Sequence, residues 1–394
     1  VRPRTHPLLT PFTLADGTVR HVWTTFSADQ VDYDFSNPGV LLEFVKIFLE
    51  YARRGSRIVR LDAIAYLWKE DGTSCLHHPK THAVVKLFRA VIELLGLDLR
   101  ILTETNVPHR DNISYFGEGD EAHMVYNFAL PPLVLYGALS GDTTPLKKWA
   151  KTLRETGNKG LFLNFLASHD GVGLTPAKGL VDEAAFAAAI EKAEKRGALI
   201  SYKAGPGGPV PYELNCSYAS IVAPPELGTA GERAGAFLAA QAVLLSLPGL
   251  PAVYFHSWIG SENWKEGPGL LGYNRAINRE KPCINDVERE LCESGSFRNL
   301  VYNGFQKFLA FRAEERAFDP ESPMEVLDSP EPVFAVRRGP DRNGRRVFCA
   351  MNFSGEETRL DLPCPAGHLS LGPWESLWLA SGGPGPDTRL SSFT

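Results

Sequence analysis

Apolar runs of strand length alternate along the chain with longer stretches whose apolar positions recur at helical spacing. The runs at 56–61, 98–103, 122–130, 161–167 and 250–255 read as buried strands. Residues 38–54 read as a helix, opened by Pro38 and carrying Leu41, Leu42, Val45, Ile47 and Phe48 on one side. A second helix over 79–96 has Pro first and Gly last, and further helices are predicted around 144–155, 182–196 and 233–247. Strands alternating with helices predict parallel strands joined by helical crossovers. Residues 1–25, with Pro3, Pro7, Pro11 and an Asp16-Gly17 turn, read as loop. The stretch 172–230 breaks the rhythm and reads as an insertion after a strand. Beyond about residue 316 the pattern turns to short strands at 333–337, 346–353, 358–362 and 376–379, a small all-β domain.

A closed barrel of alternating strands and helices needs eight strands. The pattern supplies five, and the chain opens in a loop. The fold class expected is therefore α/β: a (β/α)8 TIM-type barrel lacking its first three strands in this chain, with a rim insertion and a C-terminal all-β domain. Such an open edge would expose unpaired backbone and apolar helix faces. A fragment of this kind is expected to aggregate or to need its missing part.

Three strand ends carry acids. Arg-Leu-Asp-Ala at 60–63, Thr-Glu-Thr-Asn at 103–106 and Ser-His-Asp-Gly at 168–171 put Asp62, Glu104 and Asp170 where runs of apolar residues stop. Buried acids are costly unless paired or used in chemistry. Three of them at the ends of separate parallel strands point to one carboxylate cluster on the rim where such folds place catalysis.

The bulk numbers narrow the partners. Among 394 residues, 44% are hydrophobic and 22% charged, with a net charge of −5 and no Lys/Arg-rich run, which argues against nucleic acid. The most apolar stretch, 234–255, is broken by Gln241, Gly249 and two prolines well before a bilayer span, so membrane insertion is not expected. Six cysteines lie scattered without a Cys-x-x-Cys pair, against structural zinc or a disulfide frame, and no secretory leader opens the sequence. A cytoplasmic protein is the expectation. His77 and His78 are adjacent on a loop without spaced carboxylate partners, so they read as surface residues and no metal is assigned.

The three acid strings, in this order and followed by a β-domain, resemble the α-amylase superfamily of glycoside hydrolases. The stretches at 1–12 (VRPRTHPLLTPF), 24–34 (TTFSADQVDYD), 60–75 (RLDAIAYLWKEDGTSC), 127–139 (NFALPPLVLYGAL), 168–173 (SHDGVG), 211–220 (PYELNCSYAS) and 274–282 (NRAINREKP) resemble its sucrose phosphorylase subfamily. The string TETNVPH at 103–109 resembles most the members that phosphorolyse glucosylglycerate. The family's earlier strand ending in Asp-x-x-x-Asn-His is absent from this sequence. On this resemblance residues 1–24 are the remnant of a loop-rich inserted domain, and 25–171 hold barrel strands four to seven. Residues 172–232 are the rim insertion with a phosphate and acceptor loop, 233–316 the last barrel strand with its helices, and 317–394 the C-terminal β-domain.

The resemblance implies a retaining α-glucoside phosphorylase working by double displacement, without a cofactor. Asp62 would be the nucleophile, Glu104 the general acid and then base, and Asp170 the holder of glucose hydroxyls. Retention requires the first two carboxyls roughly 5–5.5 Å apart. Glu104 is expected to be held protonated by burial and neighbouring carboxylates. Arg60 alternates with Asp62 on one strand face and can keep it ionised, and His169 would donate to glucose hydroxyls. The resemblance points to Arg4, Tyr66, Tyr212 and Arg275 around phosphate. Glu213 stands where sucrose phosphorylases carry Gln; it would face an acceptor hydroxyl or swing out as phosphate binds. Asn106 and His109 lie where acceptor contacts are expected, and Asn106 hints against fructose as acceptor. The implied partners are small: an α-glucoside, inorganic phosphate, glucose 1-phosphate and glycerate.

Alternatives within the class are sucrose phosphorylase, sucrose 6′-phosphate phosphorylase, and a hydrolase or transglucosidase of the same superfamily. A non-catalytic amylase-like module would have lost the carboxylates, and a metal-dependent barrel enzyme would show a ligand spacing that is missing here.

Overall fold

The computed structural model describes residues 7–153, 159–205, 207–361, 368–384 and 386–391. The chain forms two compact units. The first runs to Tyr126 and takes in Ser201–Tyr212; the second holds Asn127–Ile200 and the chain from Glu213 onward.

The first unit opens with a hairpin, not a loop. Strands β1 (Leu9–Thr13) and β2 (Val19–Trp23) pair antiparallel from Leu9↔Trp23 to Thr13↔Val19. Asp16 and Gly17 do form the turn, with the Thr18 amide donating to Asp16 Oδ1 at 2.8 Å. Proline density argued for loop, but a two-stranded ribbon is all edge, so Pro11 forfeits no ladder bond. Helix α1 (Pro38–Arg53) starts at a proline behind an Asn37 cap, whose side chain accepts from the Gly39 amide at 2.8 Å. Strand β3 (Ile58–Leu61), helix α2 (Pro79–Leu94) and strand β4 (Arg100–Thr103) follow. Then come the short helix α3 (His109–Ile113) and strand β5 (Met124–Tyr126). The three strands run parallel, Leu61 opposite Thr103 and Leu102 opposite Met124. Phe48 of α1 stacks on Phe88 of α2, their centroids 5.2 Å apart. Strand β3 ends the order on one side. Ile58 and the α1 residues Leu42, Ile47 and Tyr51 are exposed.

The expected strand at 122–130 stops at Tyr126. In the second unit Leu130–Ser140 is helix α4, apolar on every side and fully buried over its first ten residues. Pro131 and Pro132 sit in its first turn, where the missing amides cost no helical bond. Helix α5 (Thr144–Thr152) precedes strand β6 (Leu161–Asn164), and the short strand β7 (Val172–Gly173) precedes helix α6 (Glu183–Lys195). Strands β8 (Leu199–Gly205) and β9 (Gly208–Asn215) bring the chain to helices α7 (Tyr218–Val222) and α8 (Ala230–Ser246). Helix α8 starts at a Thr229–Glu232 capping box and is buried from Ala234 to Ser246. The predicted strand at 250–255 shrinks to β10 (Leu250–Pro251), paired parallel to β6, and Phe255 already opens helix α9 (Phe255–Trp258). Gly249 makes the β6–β10 approach possible. Its φ is +103°, and a Cβ there would lie 2.3 Å from the Phe162 carbonyl oxygen. Helices α10 (Gly267–Leu271), α11 (Ile284–Cys292) and α12 (Phe297–Glu314) complete the helical part. Neither the three parallel strands of the first unit nor the parallel pair of the second closes a barrel.

The C-terminal part is all-β. Strands β11 (Met324–Val326), β12 (Val333–Arg338), β13 (Arg346–Asn352), β14 (Thr358–Asp361), β15 (His368–Leu371), β16 (Ser376–Ser381) and β17 (Thr388–Ser391) follow in order. Five form an antiparallel sheet in the order β11-β12-β13-β16-β17, while β14 and β15 pair separately. Arg338 is buried within it, donating to the Ser246, Asp319 and Ser322 carbonyls at 3.0, 2.9 and 3.3 Å, and burial pushes its guanidinium down to about 9. Trp378 fills the centre, its ring 4.7 Å from Phe308, 5.8 Å from Phe311 and 4.9 Å from Phe318. Trp378→Ala is expected to cost about 3–5 kcal/mol in denaturant unfolding. A loss under about 1 kcal/mol would show that this aromatic cluster is not the joint between α12 and the sheet.

Candidate active site

In the first unit, strands β3 and β4 end side by side, so Asp62 and Glu104 leave the sheet from neighbouring positions, with the Glu104 amide donating to the Leu61 carbonyl at 3.1 Å. One guanidinium reaches both acids. Arg60 Nη1 lies 2.5 Å from Asp62 Oδ1, and its Nη2 lies 3.8 Å from Glu104 Oε1. Arg60 also lies over the Tyr126 ring, 5.4 Å from its centroid. Burial works to lower the Arg60 guanidinium, but the charges of Glu104 and Asp62 outweigh it and hold it above the ordinary arginine value. Tyr126 is pushed up by burial, against the opposing pull of Arg60.

The turn after Asp62 is unusual. Ala63 is left-handed, with φ 46° and ψ 33°. An alanine pays about 1–2 kcal/mol for that conformation. It aims the Ala63 amide at Glu104, whose Oε2 accepts at 2.9 Å. The Glu104 loop is held by Thr105, which donates to the Asn112 side chain at 2.6 Å, while Asn112 donates to the Tyr126 carbonyl at 2.7 Å.

The acids were expected to be buried. Glu104 is partly so, at 14% side-chain exposure, but Asp62 is 72% exposed. Asp62 sits past the end of β3, the strand at the edge of the order, so no further strand among the described residues covers it. Tyr66 is half-buried and meets Phe26 edge-on at 5.4 Å. Asn106 is exposed. His109 opens α3, and burial lowers it to about 4, so it is neutral near pH 7. Tyr212 is half-buried, and Arg4 lies outside the described residues. The two histidines read as surface groups are structural: His77 Nδ1 is 3.1 Å from the Tyr115 hydroxyl, and His78 caps α2 by accepting from the Lys80 amide at 3.1 Å. Among the described residues no group of His, Cys, Asp and Glu could hold a metal ion.

In the second unit, Asp170 lies beyond the strand end, because β6 stops at Asn164 and the predicted run to 167 is already a turn. It is 28% exposed. Asn278 clamps this turn by donating to the Ser168 and Asp170 carbonyls, each at 3.0 Å. Arg279 Nε donates to the His169 carbonyl at 2.5 Å, and its Nη2 lies 3.3 Å from Asp170 Oδ1. The His169 ring is largely exposed, its Nε2 3.6 Å from Asp170 Oδ1. Arg275 donates through Nη1 to Asp170, and through Nε and Nη2 to the two Glu213 oxygens at 2.9 and 2.6 Å. Glu213 therefore points at Arg275. Sequence reasoning missed Asn278, Arg279, Tyr126 and Ala63. The repeat Asn-Arg-Ala-Ile-Asn-Arg at 274–279 held a signal for the first two, since residues one helical turn apart share a face.

Parallel strands joined by helical crossovers, two of them ending in carboxylates, together with a C-terminal β-sheet, define a chain of α-amylase-like architecture. The solved structure of sucrose 6F-phosphate phosphorylase from Thermoanaerobacter thermosaccharolyticum matches with a TM-score of 0.80 at 21% identity, over 98% of this chain and 72% of that one. An α-amylase from H. orenii matches with a TM-score of 0.59 at 15% identity, over 99% and 71%. The glucosylglycerate phosphorylase of Spirochaeta thermophila is 50% identical over 407 aligned residues, 96% of this chain and 69% of the relative. That of Escherichia coli is 40% identical over 96% of this chain and 70% of the relative. No family model matches the chain. The chain belongs to the glucosylglycerate phosphorylase family.

Proposed function

We propose that the protein catalyses reversible phosphorolysis of 2-O-α-glucosylglycerate to α-glucose 1-phosphate and glycerate. The observation that carries this reading is the 50% identity, over 96% of the chain, to a protein named for that activity. Asp62 attacks the anomeric carbon and forms a glucosyl ester as the bond to the glycerate oxygen breaks. Glu104 supplies the proton that glycerate leaves with. A phosphate oxygen then attacks the same carbon, the ester breaks, and the phosphate proton passes to Glu104. Asp170 and His169 hold glucose hydroxyls. Arg60, bonded to Asp62 and near Glu104, orients the nucleophile beside the proton donor.

Tyr66 and Tyr212, with Arg4, belong to the phosphate side in this reading, and Asn106 and His109 to the acceptor side. A neutral His109 suits a site that receives the glycerate anion through hydrogen bonds rather than through a second charge. The parallel strands are proposed to be later strands of the (β/α)8 barrel, with 172–232 its rim insertion, on the strength of the 98% coverage by the sucrose 6F-phosphate phosphorylase structure. Among the described residues no helix is long and apolar enough to cross a membrane.

The test is an assay of glucose 1-phosphate from glucosylglycerate and from sucrose, each with and without phosphate. Product from glucosylglycerate that requires phosphate is expected. Product from sucrose alone would remove the glycerate reading, and glucose release independent of phosphate would remove phosphorolysis.

A further inference from the structure

We propose that Glu213 is a positioning residue that acts through Arg275 on Asp170, and that it does not trade places with phosphate on the Arg275 guanidinium. This inference rests on the reading of Asp170 as the group that holds the glucosyl unit.

Three observations carry it. Glu213 is 1% exposed, while Arg275 is 25% exposed. Both Glu213 oxygens accept from the same guanidinium, through Nε at 2.9 Å and Nη2 at 2.6 Å, a two-point grip that fixes the plane of the arginine. The remaining nitrogen, Nη1, then reaches Asp170. A guanidinium held by one edge cannot rotate, so the direction in which Nη1 points is set by Glu213.

The backbone makes this arrangement stiff. Strand β7 starts two residues after Asp170, and it pairs with the end of β9 so that Val172 faces Leu214 and Gly173 faces Glu213. Gly171 lies between the acid and that pairing. A Cβ on it would lie 2.4 Å from the Leu214 carbonyl oxygen and 2.7 Å from Glu213 Cγ. The segments that carry Asp170 and Glu213 are therefore pressed together at a spacing only glycine permits. For phosphate to take the Nε/Nη2 edge of Arg275, the Glu213 carboxylate would have to move against this packing or stay behind buried and unpaired, and an unpaired buried charge is severely destabilising.

Charge gives the same answer. Asp170 and Glu213 oppose Arg275 and Arg279 within one cluster, all four linked by the contacts above. Two carboxylates cancel two guanidinium groups, so the cluster offers a dianion no net positive charge. Arg275 is better placed to aim Asp170 than to recruit phosphate.

The purified protein decides between positioning and exchange through steady-state kinetics in both substrates. Glu213→Gln keeps one acceptor oxygen for Arg275. It is expected to lower kcat by less than about tenfold, with KM for phosphate within about twofold of the parent value. Glu213→Ala, which removes the grip, is expected to lower kcat by about a hundredfold, again with little change in KM for phosphate. Recovery from Ala to Gln that is not matched by Glu213→Met, which fills the same space without an acceptor oxygen, supports positioning; equal recovery in Met would show a purely steric role and overturn it. A fall of fivefold or more in KM for phosphate in Glu213→Gln, with kcat kept, overturns the proposal, since it would show phosphate competing with the carboxylate. If Glu213→Ala does not fold, the Gln variant still decides, because the two views predict opposite behaviour of its phosphate KM. Should the parent protein release glucose without phosphate, the phosphorolysis reading falls. A hundredfold loss of that hydrolytic kcat in Glu213→Ala would still support the positioning role.

Discussion

Asp62→Asn is expected to abolish phosphorolysis, lowering kcat by several thousandfold or more, the scale seen when an enzyme loses its nucleophile. The amide cannot form the glucosyl ester, so both half-reactions stop, and no change of acceptor or phosphate concentration restores them. The fold should survive. Asp62 is largely exposed, and the Arg60 side chain that binds it keeps its place over the Tyr126 ring and near Glu104. Thermal unfolding is therefore expected within about 0.5 kcal/mol of the parent, as for exposed substitutions generally. A rapid-quench experiment adds a sharper criterion: the parent should accumulate covalently glucosylated protein when phosphate is withheld, and the Asn variant should not. Rates near normal in the variant, or labelling that persists, would move the nucleophile elsewhere and with it the role given to Arg60.

The exposure of Asp62 also shows where sequence reasoning stops. The helices at Pro38–Arg53 and Pro79–Leu94 were legible because a proline starts each one and apolar residues recur on one face. The three acids were legible because each follows an apolar run. The lengths of those runs were not. An apolar segment that continues into a buried helix carries no mark at the junction, so 122–130 reads as one strand although Leu130 already opens α4. The same ambiguity stretched β10 from two residues to six. The hairpin at 9–23 was hidden by Pro11 and by the prolines just before it, although a ribbon with two free edges tolerates a proline. Within the site, Arg60 could be read from alternation along one strand. The left-handed Ala63 and the grip of Glu213 on Arg275 could not, since the first is a backbone conformation alanine seldom adopts and the second joins residues far apart in the chain.

Ala63 bears directly on the other acid. Glu104→Gln is expected to slow turnover of the natural glucoside by about a hundredfold to ten-thousandfold, the range that positioned proton transfer contributes. Gln retains an oxygen able to accept from the Ala63 amide, so the 2.9 Å contact and the turn it fixes should persist, and the loss isolates the missing proton. The deficit should depend on the leaving group. Glycerate departs as an alkoxide unless protonated, whereas fluoride departs readily without a proton. With α-glucosyl fluoride as donor, formation of the glucosyl ester is therefore expected to recover most of its parent rate. The same loss with both donors would mean that Glu104 serves binding or the fold instead of proton transfer. Near-normal turnover of glucosylglycerate would remove it from the mechanism, and the strand-end position beside Asp62 would then need another explanation.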